Sequence, residues 1–222
     1  MPTSHPYQLN EIVELIMLTN PKRILDIGVG FGKYGFLARE YLELWDGREN
    51  YDQRTRQIDG IEVFEKYLTP VHKYIYNTIH IGNALEIVPT LKEEYDLILV
   101  IDVLEHFDYD PGVKLLKACL ERGRNVIIST PKDVVEQGAA FANPYETHRF
   151  EWKKKHFVPL GSGFFVQHED SLIVYLGKNS DRIAKIRRNI HPKVWEYLPF
   201  LKHVYRLLKK KLSKPGIRST KQ

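Results

Sequence analysis

Residues 24–35 read ILDIGVGFGKYG, and two overlapping glycine registers run through them. Counted from Gly30, GFGKYG fits the G-x-G-x-x-G of a dinucleotide-binding turn. Counted from Asp26, DIGVGFG places an acid before glycines at 28, 30 and 32. In both registers glycine lets the backbone approach a ligand and adopt positive φ. The difference lies at Asp26, which falls inside a strand end where a dinucleotide fingerprint normally has an apolar residue. A carboxylate there can bind a cationic amino group, directly or through water. The choice between the registers depends on the strand ends further along the chain.

Those strands are legible from periodicity. QLNEIVELIML (8–18) puts Leu9, Ile12, Val13 and Ile16 on one helical face, and Pro21 ends that helix. RILDIG is the first strand, with a helix through FLAREYLELW after it. QIDGIEV is the second strand, VFEKYLTPVHKYI a helix broken near Pro70, and TIHIG the third strand. YDLILVID is a continuous apolar run, as expected of a central parallel strand buried on both faces. A helix over 111–122 and the strand NVIIST follow. GFFVQHED and SLIVYLG then read as two strands joined by a short polar turn. The expected fold is α/β: a doubly wound, mostly parallel seven-stranded sheet with a C-terminal antiparallel hairpin and helices on both faces.

In such a sheet, ligands bind beyond the carboxyl ends of the strands. After the second strand stands Glu62, whose carboxylate can accept from both hydroxyls of a ribose. It lies 27 residues past Gly35, because the polar segment WDGRENYDQRTRQ is inserted; that delay weakens both registers equally. Gly82-Asn83-Ala84 follows the third strand, and Asp102-Val103-Leu104-Glu105-His106-Phe107 closes the fourth. This series resembles the Rossmann-like, class I S-adenosylmethionine-dependent methyltransferases over about residues 8–177, and the final hairpin also belongs to that family's sheet. The resemblance implies S-adenosyl-L-methionine as cofactor. It implies that Asp26, Gly28, Gly30 and Gly32 shape the methionine pocket, that Glu62 with its neighbour Val63 holds the ribose, that Asn83 and Ala84 face the adenine, and that Asp102 and Val103 line the sulfonium end. Asn83 departs from the Asp commoner in the family, although an amide can still accept from the adenine amino group.

Methyl transfer from a sulfonium is an in-line displacement, so the enzyme mainly aligns the acceptor and excludes water. An alcohol acceptor also needs a base. IDVLEHF is not the D/N-P-P-Y type of motif of enzymes that methylate exocyclic base amines, and Cys119 is not in a Pro-Cys context at that strand end. VLEHF is instead similar to the strand end of small-molecule O-methyltransferases, including the ubiquinone-pathway type. The loop STPKDVVEQGAAFANPYETHRFEW follows the fifth strand. Its NPYETHRFEW is loosely similar to methyltransferases encoded among surface-glycan and glycosyltransferase genes. Imidazole titrates near neutrality, which makes His106 and His148 the candidate bases. Glu146 and Arg149 are expected to orient the acceptor between the apolar walls of Tyr145 and Trp152. No recognisable metal-ligand spacing is present, and no metal is expected. The reading is an enzyme that O-methylates a small-molecule or glycan-like hydroxyl; an RNA methyltransferase and a non-catalytic cofactor-binding subunit are the alternatives.

Composition sets the remaining bounds. With 222 residues, 43% hydrophobic and 27% charged, the chain is expected to be an ordinary soluble globular protein. A lone Cys119 excludes an internal disulfide, and no apolar run approaches the ~20 residues of a membrane span. No basic segment followed by an apolar one opens the chain, so a cytoplasmic location is expected. The net charge of +5 conceals an asymmetry: from Lys178 onward there are 14 Lys and Arg against 2 Asp and Glu, a net +12, which leaves 19 against 26, a net −7, for residues 1–177. Two segments are therefore expected, a methyltransferase domain over 1–177 and a basic amphipathic helical tail over 178–222. HPKVWEYLPFLKHVYRLLKKKL (191–212) puts Val194, Leu198, Leu201, Tyr205 and Leu208 near one stripe, with Lys and Arg elsewhere. Such a helix suits peripheral attachment to an anionic membrane surface. Docking on the catalytic domain or on a second subunit of an oligomer fits it equally, whereas nucleic acid is the weaker partner because residues 1–177 are acidic.

Overall fold

The structure is a computed structural model and describes residues 4, 6–44, 50, 52–133 and 137–190. The expected tail helix over 191–212, and every partner assigned to it, lies outside the described residues. Two compact units divide the chain, Met1–Ile183 and Ala184–Gln222.

The first unit is built from a seven-stranded sheet. In chain order its elements are α1 (Leu9–Thr19), β1 (Arg23–Ile27), α2 (Lys33–Arg39), β2 (Gln57–Glu62), α3 (Pro70–Ile75), β3 (Thr78–Ile81), α4 (Ala84–Thr90), β4 (Leu97–Ile101), α5 (Tyr109–Arg122), β5 (Asn125–Pro131), α6 (Lys154–Phe157), β6 (Gly163–Val166) and β7 (Ser171–Gly177). The helix α7 (Ser180–Ile190) follows β7. The spatial order is β3-β2-β1-β4-β5-β7-β6, with the first five strands parallel and β7 antiparallel to both of its neighbours. The sequence expectation of a mostly parallel sheet closed by an antiparallel hairpin is therefore what the chain forms.

β4 lies near the centre of the sheet, and all five of its residues are buried. Its alternate side chains feed two cores. Ile98 and Val100 pack with Val88 of α4 and with Leu115 and Leu116 of α5. Leu97, Leu99 and Ile101 pack with Ile12, Leu15 and Ile16 of α1, Ala38 of α2 and Ile183. This two-sided burial is the physical reason the strand is apolar throughout. No helix among the described residues is long and apolar enough to cross a membrane.

Two helix ends differ from the sequence reading. Asn20, in the left-handed region (φ 49), terminates α1 one residue before Pro21, and its N–H donates to the Ile16 carbonyl. Pro70 begins α3 instead of breaking a longer helix. Thr69 and His72 cap each other's backbone ahead of it, and a proline at the first helical position forfeits no hydrogen bond.

α2 continues as a π-helical turn, Glu40–Leu44, that carries a buried polar hub. Arg39 donates to the carbonyls of Ile75 and Arg56 (2.8 and 2.7 Å), to Asn77 Oδ1 (2.6 Å) and to Glu43 Oε2 (3.0 Å). The other oxygen of Glu43 accepts the backbone N–H groups of Thr55 and Arg56. The hub fastens the end of the polar insertion to α2, so β2 enters the sheet in register.

Candidate functional site

A cavity opens at the carboxyl ends of β1, β2, β3 and β4. Its lining includes Asp26, Gly28, Gly30, Glu62, Val63, Asn83, Ala84, Asp102, Val103, His106, Tyr145 and Glu146, twelve of the residues singled out from sequence. Four others stand outside it: Gly32, His148, Arg149 and Trp152.

The backbone decides the glycine register. Gly28, Gly30 and Gly32 have φ of 74°, 51° and 87°, all in the left-handed region, whereas Gly35 lies within α2. At Gly28 a Cβ would also stand 2.4 Å from Cγ2 of Val103, so the β1 loop and the β4 end meet only because that side chain is missing. Gly32 caps α2 and does not line the cavity.

Gly35 has a different task. A Cβ there would lie 2.5 Å from the Tyr76 ring and hydroxyl, so the helix admits this ring against its backbone. The Tyr76 hydroxyl donates to Asp26 Oδ2 at 2.6 Å. Asp26 is buried, and burial pushes its carboxyl up to about 7, against the opposing pull of the Tyr76 hydroxyl.

Glu62 joins the β2 end to the glycine loop. One oxygen accepts the Gly30 N–H (3.0 Å) and the other the Phe64 N–H (2.9 Å). The Val63 N–H also bonds to this carboxylate, which still keeps acceptor capacity for a ligand. Asn83 caps α4, its side-chain oxygen accepting the Leu85 N–H at 3.0 Å, which leaves its amide hydrogens free of that role. Asp102, half-buried with φ 51, is clamped at both oxygens, by Gln8 Nε2 (2.7 Å) and by Ser129 Oγ (2.9 Å). Gln8 is fully buried, and only the fold reveals that the segment before α1 fixes the β4 acid.

The loop after β5 reaches back over the cavity. Tyr67 donates its hydroxyl to Glu146 Oε1 at 3.0 Å, tying the β2 side to this loop. Gln137 Nε2 donates to the Glu146 carbonyl, and the His148 N–H to the Gln137 carbonyl. His106 Nδ1 lies 3.2 Å from the Thr147 carbonyl, an acceptor only, so Nδ1 carries the proton and Nε2 has the free lone pair. Burial lowers the affinity of His106 for a second proton. Trp152 is a correction to the sequence reading. It is buried against Leu104, with Nε1 donating to the Leu104 carbonyl at 3.0 Å, and it is a core residue rather than an acceptor wall. Arg149 points to Asp108 at 3.7 Å, outside the cavity.

Sequence spacing also concealed a cluster. Glu105, His106 and His148 each offer a ligand atom, and these atoms lie within 4.8 Å of one another. The two imidazole rings are 5.2 Å apart. Glu105 is buried, its Oε2 makes no hydrogen bond among the described residues, and burial with the nearby Asp102 carboxylate holds it well above the usual carboxylate range. Glu105 and Tyr67 were not singled out from sequence. For Glu105 the only signal was its place between Asp102 and His106.

No protein-family model and no curated protein matches the sequence. Solved structures do match. The methyltransferase domain of bacterial CtHen1-C is 21% identical, with a TM-score of 0.53 over 78% of this chain and 98% of that one. The N-terminal domain of EvdMO1, solved with S-adenosylhomocysteine (SAH) and D-fucose, is 14% identical with a TM-score of 0.52, over 78% and 83%. PigF, solved with SAH, is 15% identical with a TM-score of 0.54; the match covers 78% of this chain but 55% of PigF. With its seven-stranded order, its antiparallel β7 and these likenesses, the chain has the Rossmann-like fold of the class I S-adenosylmethionine-dependent methyltransferases.

Proposed function

We propose that this chain is an S-adenosylmethionine-dependent methyltransferase acting on the hydroxyl of a small-molecule or glycan-like acceptor. The observation that carries the reading is convergence: Asp26, the glycine loop, Glu62, Asn83 and Asp102, from four strand ends, line one cavity together with His106, Tyr145 and Glu146. In this reading Asp26 takes the amino group of the cofactor, Glu62 its ribose hydroxyls and Asn83 its adenine. The cofactor would supply an electrophilic methyl group in line with the acceptor oxygen, with SAH as the leaving group, and His106 Nε2 would receive the hydroxyl proton. Tyr145 and Glu146 orient the acceptor. The SAH in two structural neighbours and the D-fucose in one support the cofactor and a sugar-like acceptor.

The test is calorimetric binding of SAH, followed by labelled-methyl transfer to a panel of hydroxylated acceptors with His106→Ala and His148→Ala. Absence of SAH binding sinks the reading. Full activity in both variants removes the histidine base.

The Glu105–His106–His148 cluster favours a second reading of the proton step. Mixed nitrogen and oxygen donors with an orphaned buried carboxylate oxygen fit a divalent cation, which would supply a Lewis acid beside the acceptor. Elemental analysis of the purified protein, compared with Glu105→Gln and His148→Ala, tests this directly. Stoichiometric metal lost in both variants supports it, and a metal-free active protein refutes it.

A further inference from the structure

Beside the cavity runs a second hollow of about 670 Å³, lined by Pro6, Leu9, Phe36, Leu37, Val71 and Phe141 among others. It shares Phe31 and Lys33 with the cavity, so the two lie side by side. Except for Lys33, every side chain lining it is hydrocarbon. The Lys33 ammonium at the junction is already engaged, donating to the carbonyl and hydroxyl of Ser4. The walls are unusually exposed: Phe31 67%, Phe36 53%, Val71 49% and Phe141 63%. Single exposed apolar side chains are ordinary, but four around one trough form the kind of contiguous patch that marks a binding groove.

What fills the trough follows from its place beside the cavity. Phe31 stands between Gly30 and Gly32 in the glycine loop and forms the partition between the two spaces. An acceptor whose hydroxyl enters the cavity from this side has the rest of its length in the trough. A free sugar would find no hydrogen-bond partner among those side chains, whereas a hydrocarbon chain would displace water from all of them. Building on the methyltransferase reading, we propose that the trough holds the hydrocarbon part of an amphipathic acceptor, so that the substrate is a glycan-like alcohol carried on an alkyl or lipid chain.

The experiment compares n-octyl β-D-glucoside, below its micellar concentration, with methyl β-D-glucoside. Calorimetry uses the full chain saturated with SAH, as wild type and as Phe36→Asp and Val71→Asp, which alter α2 and α3 separately. The wild type is expected to prefer the octyl compound by at least about tenfold, a modest share of what burying several methylenes gives. Each variant should lose that preference while its SAH affinity stays the same. Equal or undetectable binding of the two glucosides, or an undiminished preference in both variants, overturns the proposal. So does a dimer that Phe36→Asp converts to monomer, because the trough would then be an interface between copies. Failure to bind SAH would instead sink the methyltransferase reading on which the proposal rests.

Discussion

Asp26 carries an acid–base signature that tests its role directly. Its carboxyl titrates near 7 in the folded chain and near 3.8 when unfolded. Between those values the folded state holds a proton that the unfolded state has lost, so stability falls as pH rises through that window, and the full penalty is present above about 7. A cofactor ammonium needs the charged form. SAH affinity is therefore expected to rise with pH up to about 7 and then level off, as measured by calorimetry from pH 5.5 to 8.5. Asp26→Asn keeps an acceptor for the Tyr76 hydroxyl but has no charge. It should bind at least about tenfold more weakly at pH 8, lose the pH dependence and melt no lower than wild type at that pH. An unaltered pH profile in the variant would remove Asp26 from the amino-group site. The two glycine types give a paired prediction. Gly28→Ala meets both positive φ and Val103, and should cost about 2–4 kcal/mol in denaturant unfolding. Gly35→Ala has no φ penalty but displaces Tyr76 from Asp26. Its expected effect is weaker SAH binding from a position outside the cavity; unchanged affinity would show that the Tyr76–Asp26 bond does not matter for binding.

At the scale of elements, much was legible because burial writes itself into the sequence. β4 reads as LILVI because both of its faces are covered, and the acid after β4, Asp102, stands out as the first polar residue after that apolar run. What stayed hidden depended on contacts between distant residues. Trp152 lies in a polar loop sequence, yet its indole reaches the Leu104 carbonyl and fills the core beneath the site. Glu105, His106 and His148 meet only after the loop beyond β5 folds back, and no spacing rule covers two neighbours and a residue some forty positions away. Pro70 has opposite meanings at a helix start and a helix interior, and Thr69 decides between them. The Arg39–Glu43 pair was hidden in an amphipathic pattern for the same reason, since its other partners come from the end of α3 and from the segments before β2 and after α3. Both side chains are buried, so truncating one leaves the other charged without its partner. Arg39→Ala is expected to destabilise the chain by about 3–5 kcal/mol in urea unfolding. Arg39→Met, which keeps the packing but not the charge, should be no better, because Glu43 remains. A loss below ~1 kcal/mol in both would mean that water enters and solvates the hub.

At the scale of the whole molecule, charge is the organising feature: residues 1–177 carry a net −7 and residues 178–222 a net +12. Two opposite fields on one chain have opposite consequences for a negatively charged partner, and the basic segment is the one such a partner would meet favourably. Near an anionic lipid surface each Lys or Arg contributes about 1 kcal/mol within a Debye length, so a cluster such as Lys209, Lys210 and Lys211 is enough to change partitioning strongly. Cosedimentation with vesicles containing phosphatidylserine is therefore expected at 0.15 M salt, absent with neutral vesicles and reduced as salt is raised. Reversing the three charges, Lys209→Glu, Lys210→Glu and Lys211→Glu together, should cut binding at least about tenfold while SAH affinity is preserved. The same charge pattern also distinguishes a membrane from a nucleic acid, because an apolar stripe adds a component that salt does not screen. Residual vesicle binding at high salt supports the membrane. Complete loss with salt, together with tighter association with single-stranded RNA, would return the tail to nucleic acid. An acceptor held partly in hydrocarbon gives the membrane outcome a reason, because a chain retained at the surface meets such an acceptor at higher local concentration.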